Sequence, residues 1–257
     1  MKSEAVLLER HGNDGPVVSI RLNRPERRNA LNESIFHRLN EIATALTNDQ
    51  SARVVVLSGV GDTFCAGFDL DSALEDPGLM RRYIELLSET VRRYRRLPQI
   101  VVASVQGAAI AGGCALLGGA DFVIATKDAR FGYPVHRIGV SPVVSLPSLR
   151  ASIGDGEARS LLLGGHLISA AEAKSIGLVW RLAGDADTLR SETDDLAVAL
   201  LEKGPRALRV TKRWLNELDG SATDTAFAAT AQASAALCEG HEAIEYLRAV
   251  WGRDRKS

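Results

Sequence analysis

An α/β fold built on a parallel sheet and continued by a helical C-terminal region is what this sequence predicts, on three features of the chain. Four short runs rich in Val and Ile, at residues 17–22, 53–58, 100–105 and 122–126, read as buried strands. Between the first two, Ile35, Leu39, Ile42 and Leu46 recur every three or four residues, the period of one buried helical face over 32–48. A strand, helix, strand unit of this kind closes a parallel pair through a crossover helix. Beyond residue 143 the strand signals fade, and segments 154–164, 169–175, 189–202, 205–218 and 222–237 all read as helices. The composition shift divides the chain into an α/β core over 1–195 and a helical region over 196–257.

Composition narrows the function classes. At 257 residues, 46% hydrophobic and 25% charged, the chain has the make-up of an ordinary globular protein able to bury a sizeable core. A formal charge of −1 provides no field to gather nucleic acid or an anionic membrane, so a small-molecule partner is expected. Cys65, Cys114 and Cys238 show no metal-ligand spacing, and His11, His37 and His241 have no acidic or cysteine partners at such spacing, so no metal site is expected. Unpaired thiols and an N-terminus without an apolar core of secretory length point to the cytoplasm. The apolar stretch 100–126 is interrupted by Gln106, Gly107, Gly112, Gly113 and Asp121, which suits a buried strand, turn and helix better than a membrane span.

Two glycine-bearing turns hold the chemical information. GVGDTFCAGFDL at 59–70 follows the second strand, and QGAAIAGGCAL at 106–116 follows the third and leads into a helix. Both lie at carboxyl ends of sheet strands, where open α/β folds bind ligands. Glycines at a helix start let a ligand oxygen approach main-chain N–H groups that have no intrahelical partner. Taken singly, each turn is equally explained by tight packing of helix on sheet. Neither fits a phosphate-binding P-loop, and the first lacks the third glycine of a dinucleotide fingerprint, which disfavours a nicotinamide-dependent oxidoreductase.

Together with LNRPERRNALN at 22–32, LLLGGHLISAAEA at 161–173 and GLV at 177–179, these turns resemble the crotonase superfamily, also called the enoyl-CoA hydratase/isomerase family, over nearly the whole chain. The resemblance implies a spiral of ββα units with a C-terminal helical trimerisation region. It also implies an oxyanion hole made by the backbone N–H groups of Phe68 and Gly112, which would hold a thioester carbonyl as it gains charge. Arg27, Arg28, Ala66, Phe68, Asp69 and Leu70 are implied as the residues meeting coenzyme A, which arrives as part of an acyl-CoA substrate, without a separate cofactor. Homotrimers or dimers of trimers are implied, with residues 196–257 completing a neighbour's CoA site. Arg253, Arg255 and Lys256 could meet phosphates there, and a solvated tail explains them equally well.

One departure from the family is chemically important. Where its hydratases carry two glutamates, this chain has Ala115 and Val135, and where some isomerases carry one after a Ser-Pro pair it has Val143. Water addition by the usual route is therefore not expected, because acid/base work needs a titratable group within reach. His136 and Tyr133 are the substitutes by chemistry. Read as extended chain, 133–136 would put Tyr133 on the face of Val135 and turn His136 away. An acid within 75–89 could also reach the pocket. Asp69 is expected to cap a loop or helix, Asp71 stands where relatives often have lysine, and Ser169 with Glu172 reads as a capping box. Cys65 and Cys114, flanking the hole, read as small buried side chains. Two readings stay open: an enzyme acting on a CoA thioester, and a non-catalytic acyl-CoA binder that kept the hole.

Overall fold

The computed structural model describes residues 4–11, 15–73, 76 and 78–254, with the side chains of 251–254 outside the description. Its strands are β1 (Val6–His11), β2 (Val17–Leu22), β3 (Val54–Gly59), β4 (Ile100–Val105), β5 (Ala108–Ile110), β6 (Phe122–Thr126), β7 (Arg130–Gly132), β8 (Leu167–Ser169) and β9 (Arg181–Ala183). The helices are α1 (Glu33–Thr47), α2 (Leu70–Ala73), α3 (Leu79–Arg96), α4 (Gly112–Leu116), α5 (Leu146–Gly164), α6 (Ala170–Ser175), α7 (Ala186–Leu201), α8 (Pro205–Leu218), α9 (Thr225–Cys238) and α10 (His241–Asp254). One sheet has the order β1-β2-β3-β4-β6-β9, parallel except for β1 against β2. A smaller sheet, β5-β7-β8, stands beside it. Short strands β5 and β7 follow directly on β4 and β6, so the chain alternates between the two sheets and winds as repeated ββα turns.

All four strands expected from the sequence are present. They read as continuous apolar runs because β3 and β4 are covered on both faces. Val55, Leu57, Val101, Ala103 and Val105 face the main core, shared with α1 and α3, while Val54, Val56, Ile100 and Val102 face Leu189, Ala197 and Leu200 of α7. Helix α1 presents Ile35, Phe36, Leu39, Ile42 and Leu46 inward, each worth roughly 1.5–3 kcal/mol on burial. Its start is set by Asn32, whose Oδ1 accepts the Ile35 N–H at 3.0 Å. The expected capping box is formed at α6 by Ser169 and Glu172. The division at 195/196 falls inside α7, which packs along the sheet through its whole length, and α8 still meets β4.

Helix α8 is built the opposite way from an ordinary surface helix. Lys212 and Asn216 are buried against the core, while Val210, Trp214, Leu215 and Leu218 are exposed. Lys212 Nζ donates to Asp121 Oδ2 at 2.6 Å and to the Gln99 carbonyl at 2.8 Å, and the same carboxylate oxygen accepts the Val101 N–H. Asn216 donates to the Arg95 carbonyl at 3.0 Å. Burial lowers the Lys212 pKa, opposed only in part by Asp121. Removing the ammonium strands a half-covered carboxylate, so Lys212→Ala should lower unfolding free energy by about 2–3 kcal/mol. Urea denaturation checks this, and the double change Lys212→Met with Asp121→Asn should recover part of the loss.

Candidate active site

The turns after β3 and β4 are held together by the first sequence motif. Asn29, fully buried and in the left-handed region at φ 56°, accepts the Arg24 N–H at 2.9 Å and donates to the carbonyls of Val60 and Thr63 at 3.0 and 2.7 Å. Further along, the Leu31 N–H donates to the Gly67 carbonyl at 2.7 Å and Asp69 N–H to the Leu31 carbonyl at 2.8 Å. In such a one-residue parallel bridge the intervening Phe68 N–H points to the opposite side. Gly67 allows this path with φ 102°, a conformation that L side chains rarely adopt.

The second donor is fixed by a strained neighbour. Ala111 sits at φ 50°, ψ −114°, a region costing a non-glycine residue roughly 1–3 kcal/mol. Its N–H donates to the Gly132 carbonyl at 2.8 Å and its carbonyl accepts from Ala115 at 2.9 Å, so both ends are clamped. Gly112 follows as the first residue of α4, and its N–H has no intrahelical acceptor. Among the described residues, neither the Phe68 nor the Gly112 N–H donates to a protein acceptor, whereas those of Asp69, Ile110 and Ala111 do. The two lie side by side: a Cβ built on Gly112 would come within 2.9 Å of Phe68 Cε1, and one on Gly67 within 3.7 Å of the Gly112 nitrogen.

Both donors line a cavity of about 510 Å³. Arg27, Arg28, Ala66, Asp69 and Leu70, named from the sequence, line it as well. The Phe68 ring also packs edge-on against Phe36 and tilted against Tyr83, with centroids 6.1 and 5.3 Å away, so it is anchored in the core. Asp69, buried, accepts from Arg24 at 2.9 Å and Arg27 at 3.1 Å, and Arg27 also pairs with Asp71. Acids and arginines at this end of the cavity therefore largely neutralise one another.

The inner wall is apolar at the positions where the resemblance implies carboxylates. Ala115 and Val135 both line the cavity, among Met80, Ile84, Leu87, Val140 and Val144. From α3 it is these apolar side chains that reach it, while Glu85 and Glu89 pair with Arg81 and Arg93 on the outer face; Glu75 lies outside the described residues. Segment Pro134–Ile138 is a short 3₁₀ turn, ended by Gly139 at φ 70°, and not the extended run expected. Pro134 at its first turn favours that geometry. Tyr133 and Val135 nonetheless share the cavity, and His136 is exposed outside it, beside Gly165, where an added Cβ would approach its Nδ1 to 3.1 Å. Arg255 and Lys256 lie outside the described residues, as does the side chain of Arg253.

Tyr133 is thus the titratable group at the inner end, 2% exposed. Burial, with neighbouring Cys114, pushes its phenol well above the ordinary value, so it stays protonated near neutrality. Sequence reasoning missed Ser145, which lines the same region; a serine after Val-Val gives no pattern by which to find it. Burial likewise raises Cys65 to about 12 and Cys114 to about 11, leaving neutral thiols and no nucleophile. All three cysteines are free and buried. A disulfide-exchange reagent at pH 8 should therefore label none of them until denaturant is added, which thiol titration by absorbance would read directly.

Known proteins match this chain over most of its length. The enoyl-CoA hydratase/isomerase family model matches residues 12–245. A short-chain-enoyl-CoA hydratase of Clostridium acetobutylicum is 30% identical over 91% of this chain and 89% of its own. The 1,2-epoxyphenylacetyl-CoA isomerase of Escherichia coli is 31% identical over 81% of this chain and 82% of its own. An enoyl-CoA hydratase structure from Bacillus halodurans superposes with a TM-score of 0.86 at 25% identity, covering 96% of this chain and 100% of that one.

Proposed function

Because this chain belongs to the enoyl-CoA hydratase/isomerase family, we propose that it is an enzyme that forms an enolate from an acyl-CoA thioester without a protein carboxylate. The observation that carries this reading is the pair of unengaged N–H groups of Phe68 and Gly112 facing one cavity. Two fixed donors at one point suit an oxygen that becomes negative during reaction, because they stabilise the transition state more than the ground state. Coenzyme A enters as part of the substrate, past Arg27 and Arg28, and the reading includes no separate cofactor.

The apolar wall selects the kind of chemistry. With Ala115 and Val135 in place of acids, no side chain there removes a proton from carbon or activates water at neutral pH. Reactions whose electrons come from the substrate itself remain open. In a decarboxylation the bond to a β-carboxylate breaks, its electron pair becomes the enolate held by Phe68 and Gly112, and CO2 leaves. The α-carbon then takes a proton from the Tyr133 phenol, which water restores. A second reading, a binder that retains thioesters unchanged, is favoured by the same missing carboxylates.

A panel of enoyl-, 3-hydroxyacyl- and malonyl-type CoA thioesters, followed by mass spectrometry, separates the two. Conversion of one class should fall about 10²–10³-fold in a folded Gly112→Pro variant, since one oxyanion donor is gone. Retention of thioesters without conversion would leave the binder.

The outward apolar face of α8, together with exposed Trp180, supports assembly into homotrimers or pairs of trimers, since a lone chain gains nothing by turning Trp214 and Leu218 to water. Trp214→Glu should shift the sedimenting mass from three chains or more toward one. No helix among the described residues is long and apolar enough to cross a membrane, and free buried thiols fit a cytoplasmic setting.

A further inference from the structure

Two hydroxyls interrupt the apolar inner wall, and one of them lacks the hydrogen bond its position would ordinarily require. Ser145, 3% exposed, stands at the residue before α5, where a serine commonly turns back to accept a helix N–H. It makes no such bond, and its Oγ is buried without a hydrogen-bond partner. Pro147 in the first turn of α5 removes one of the N–H groups a capping oxygen would take. Close by is the Tyr133 phenol, 2% exposed, whose neighbours include Ser145 and Cys114. Both residues line the cavity that holds Phe68 and Gly112, between Ala115, Val144 and Pro142. Ser141 and Ser234, also on the lining, are already engaged: the Ser234 hydroxyl donates to the Ser141 carbonyl at 2.6 Å, and the Ser141 hydroxyl accepts the Val143 N–H at 3.4 Å.

A buried hydroxyl with no partner is destabilising, and such groups persist where something else supplies the missing bond. We propose that Ser145 and Tyr133 form a subsite for a hydrogen-bond-accepting oxygen on the acyl group itself, distinct from the thioester carbonyl. The acyl chain is then a hydroxy-, oxo- or carboxy-acyl group, and a plain hydrocarbon chain of the same length is disfavoured. The asymmetry follows from the wall: an alkyl group would leave the Ser145 hydroxyl buried and without a partner, whereas an oxygen meets a serine hydroxyl set beside a phenol. A site of this kind rejects the analogue lacking the polar atom more strongly than an apolar pocket rejects an added one.

This inference rests on the CoA-thioester reading, and titration calorimetry distinguishes the failure of each. Butanoyl-CoA is compared with 3-hydroxybutanoyl-CoA and acetoacetyl-CoA on the full chain, on Ser145→Ala and on Tyr133→Phe. The expected result is binding of at least one oxygenated thioester ~10-fold or more tighter than butanoyl-CoA, with the ratio collapsing toward one in Ser145→Ala. Tyr133→Phe should reduce the ratio as well. Equal affinities on the unaltered chain overturn the subsite and leave the CoA reading standing. An oxygen preference that survives both substitutions overturns the assignment to these residues. Failure of every thioester to bind overturns the CoA reading, and the subsite with it.

Discussion

Two peptide N–H groups without an acceptor among the described residues, side by side at the ends of neighbouring strands, organise the centre of this molecule. Leaving buried donors unpaired is unfavourable, and the fold surrounds them with pairings that prevent relaxation. On one side Leu31 takes the groups before and after Phe68. On the other, Gly132 takes the Ala111 N–H, and the strained φ of that alanine turns the next peptide toward the cavity. The second sheet exists to supply this clamp: β5 and β7 meet where Ile110 pairs with Gly132. Even the Phe68 ring takes part, since it fills the space in which Gly112 has no side chain and is itself anchored on Phe36 and Tyr83.

Around those donors the cavity separates its polar and apolar duties. Charges gather at the arginine end, where Arg24, Arg27, Asp69 and Asp71 form one network with little net field. The interior carries Ala115, Val135 and Val144 and a phenol that remains neutral. An enolate formed there would be stabilised by fixed dipoles in a poorly hydrated space, where each is worth more than in water. With Ala115 and Val135 on this wall no carboxylate stands there to abstract a proton, which is why the proposed reaction draws its electrons from the substrate.

Much of this was legible in the sequence. β2, β4 and β6 have the expected bounds, and α1 falls within the expected span 32–48, because long buried runs and helical periodicity are local signals. Phe68 and Gly112 were implied by the resemblance to the family, through a backbone role that does not depend on side-chain placement. What escaped was non-local. Helix α3 hides Met80, Tyr83, Ile84, Leu87, Val91 and Tyr94 among six arginines, so its apolar face is masked by composition. Strands β5, β7 and β8 are three residues each, too short for a period to appear, and owe their existence to pairing across the chain. The turn at 134–138 defeated the two-residue alternation, yet Tyr133 and Val135 still share a wall while His136 does not. Ser145 was invisible because its meaning lies in a bond it fails to make.

Asn29 ties the segment 24–31 to the 59–64 turn through two hydrogen bonds donated by its buried amide, whose oxygen accepts the Arg24 N–H within the segment. Neither loop can peel from the body of the protein alone, since release of either strands the amide's remaining partners in a dry interior. The two therefore open to solvent as a single cooperative unit, and amide protons on both should exchange with one common rate. Architecture of this sort makes the arrangement of the two donors a property of the folded chain itself, independent of whether a ligand is present.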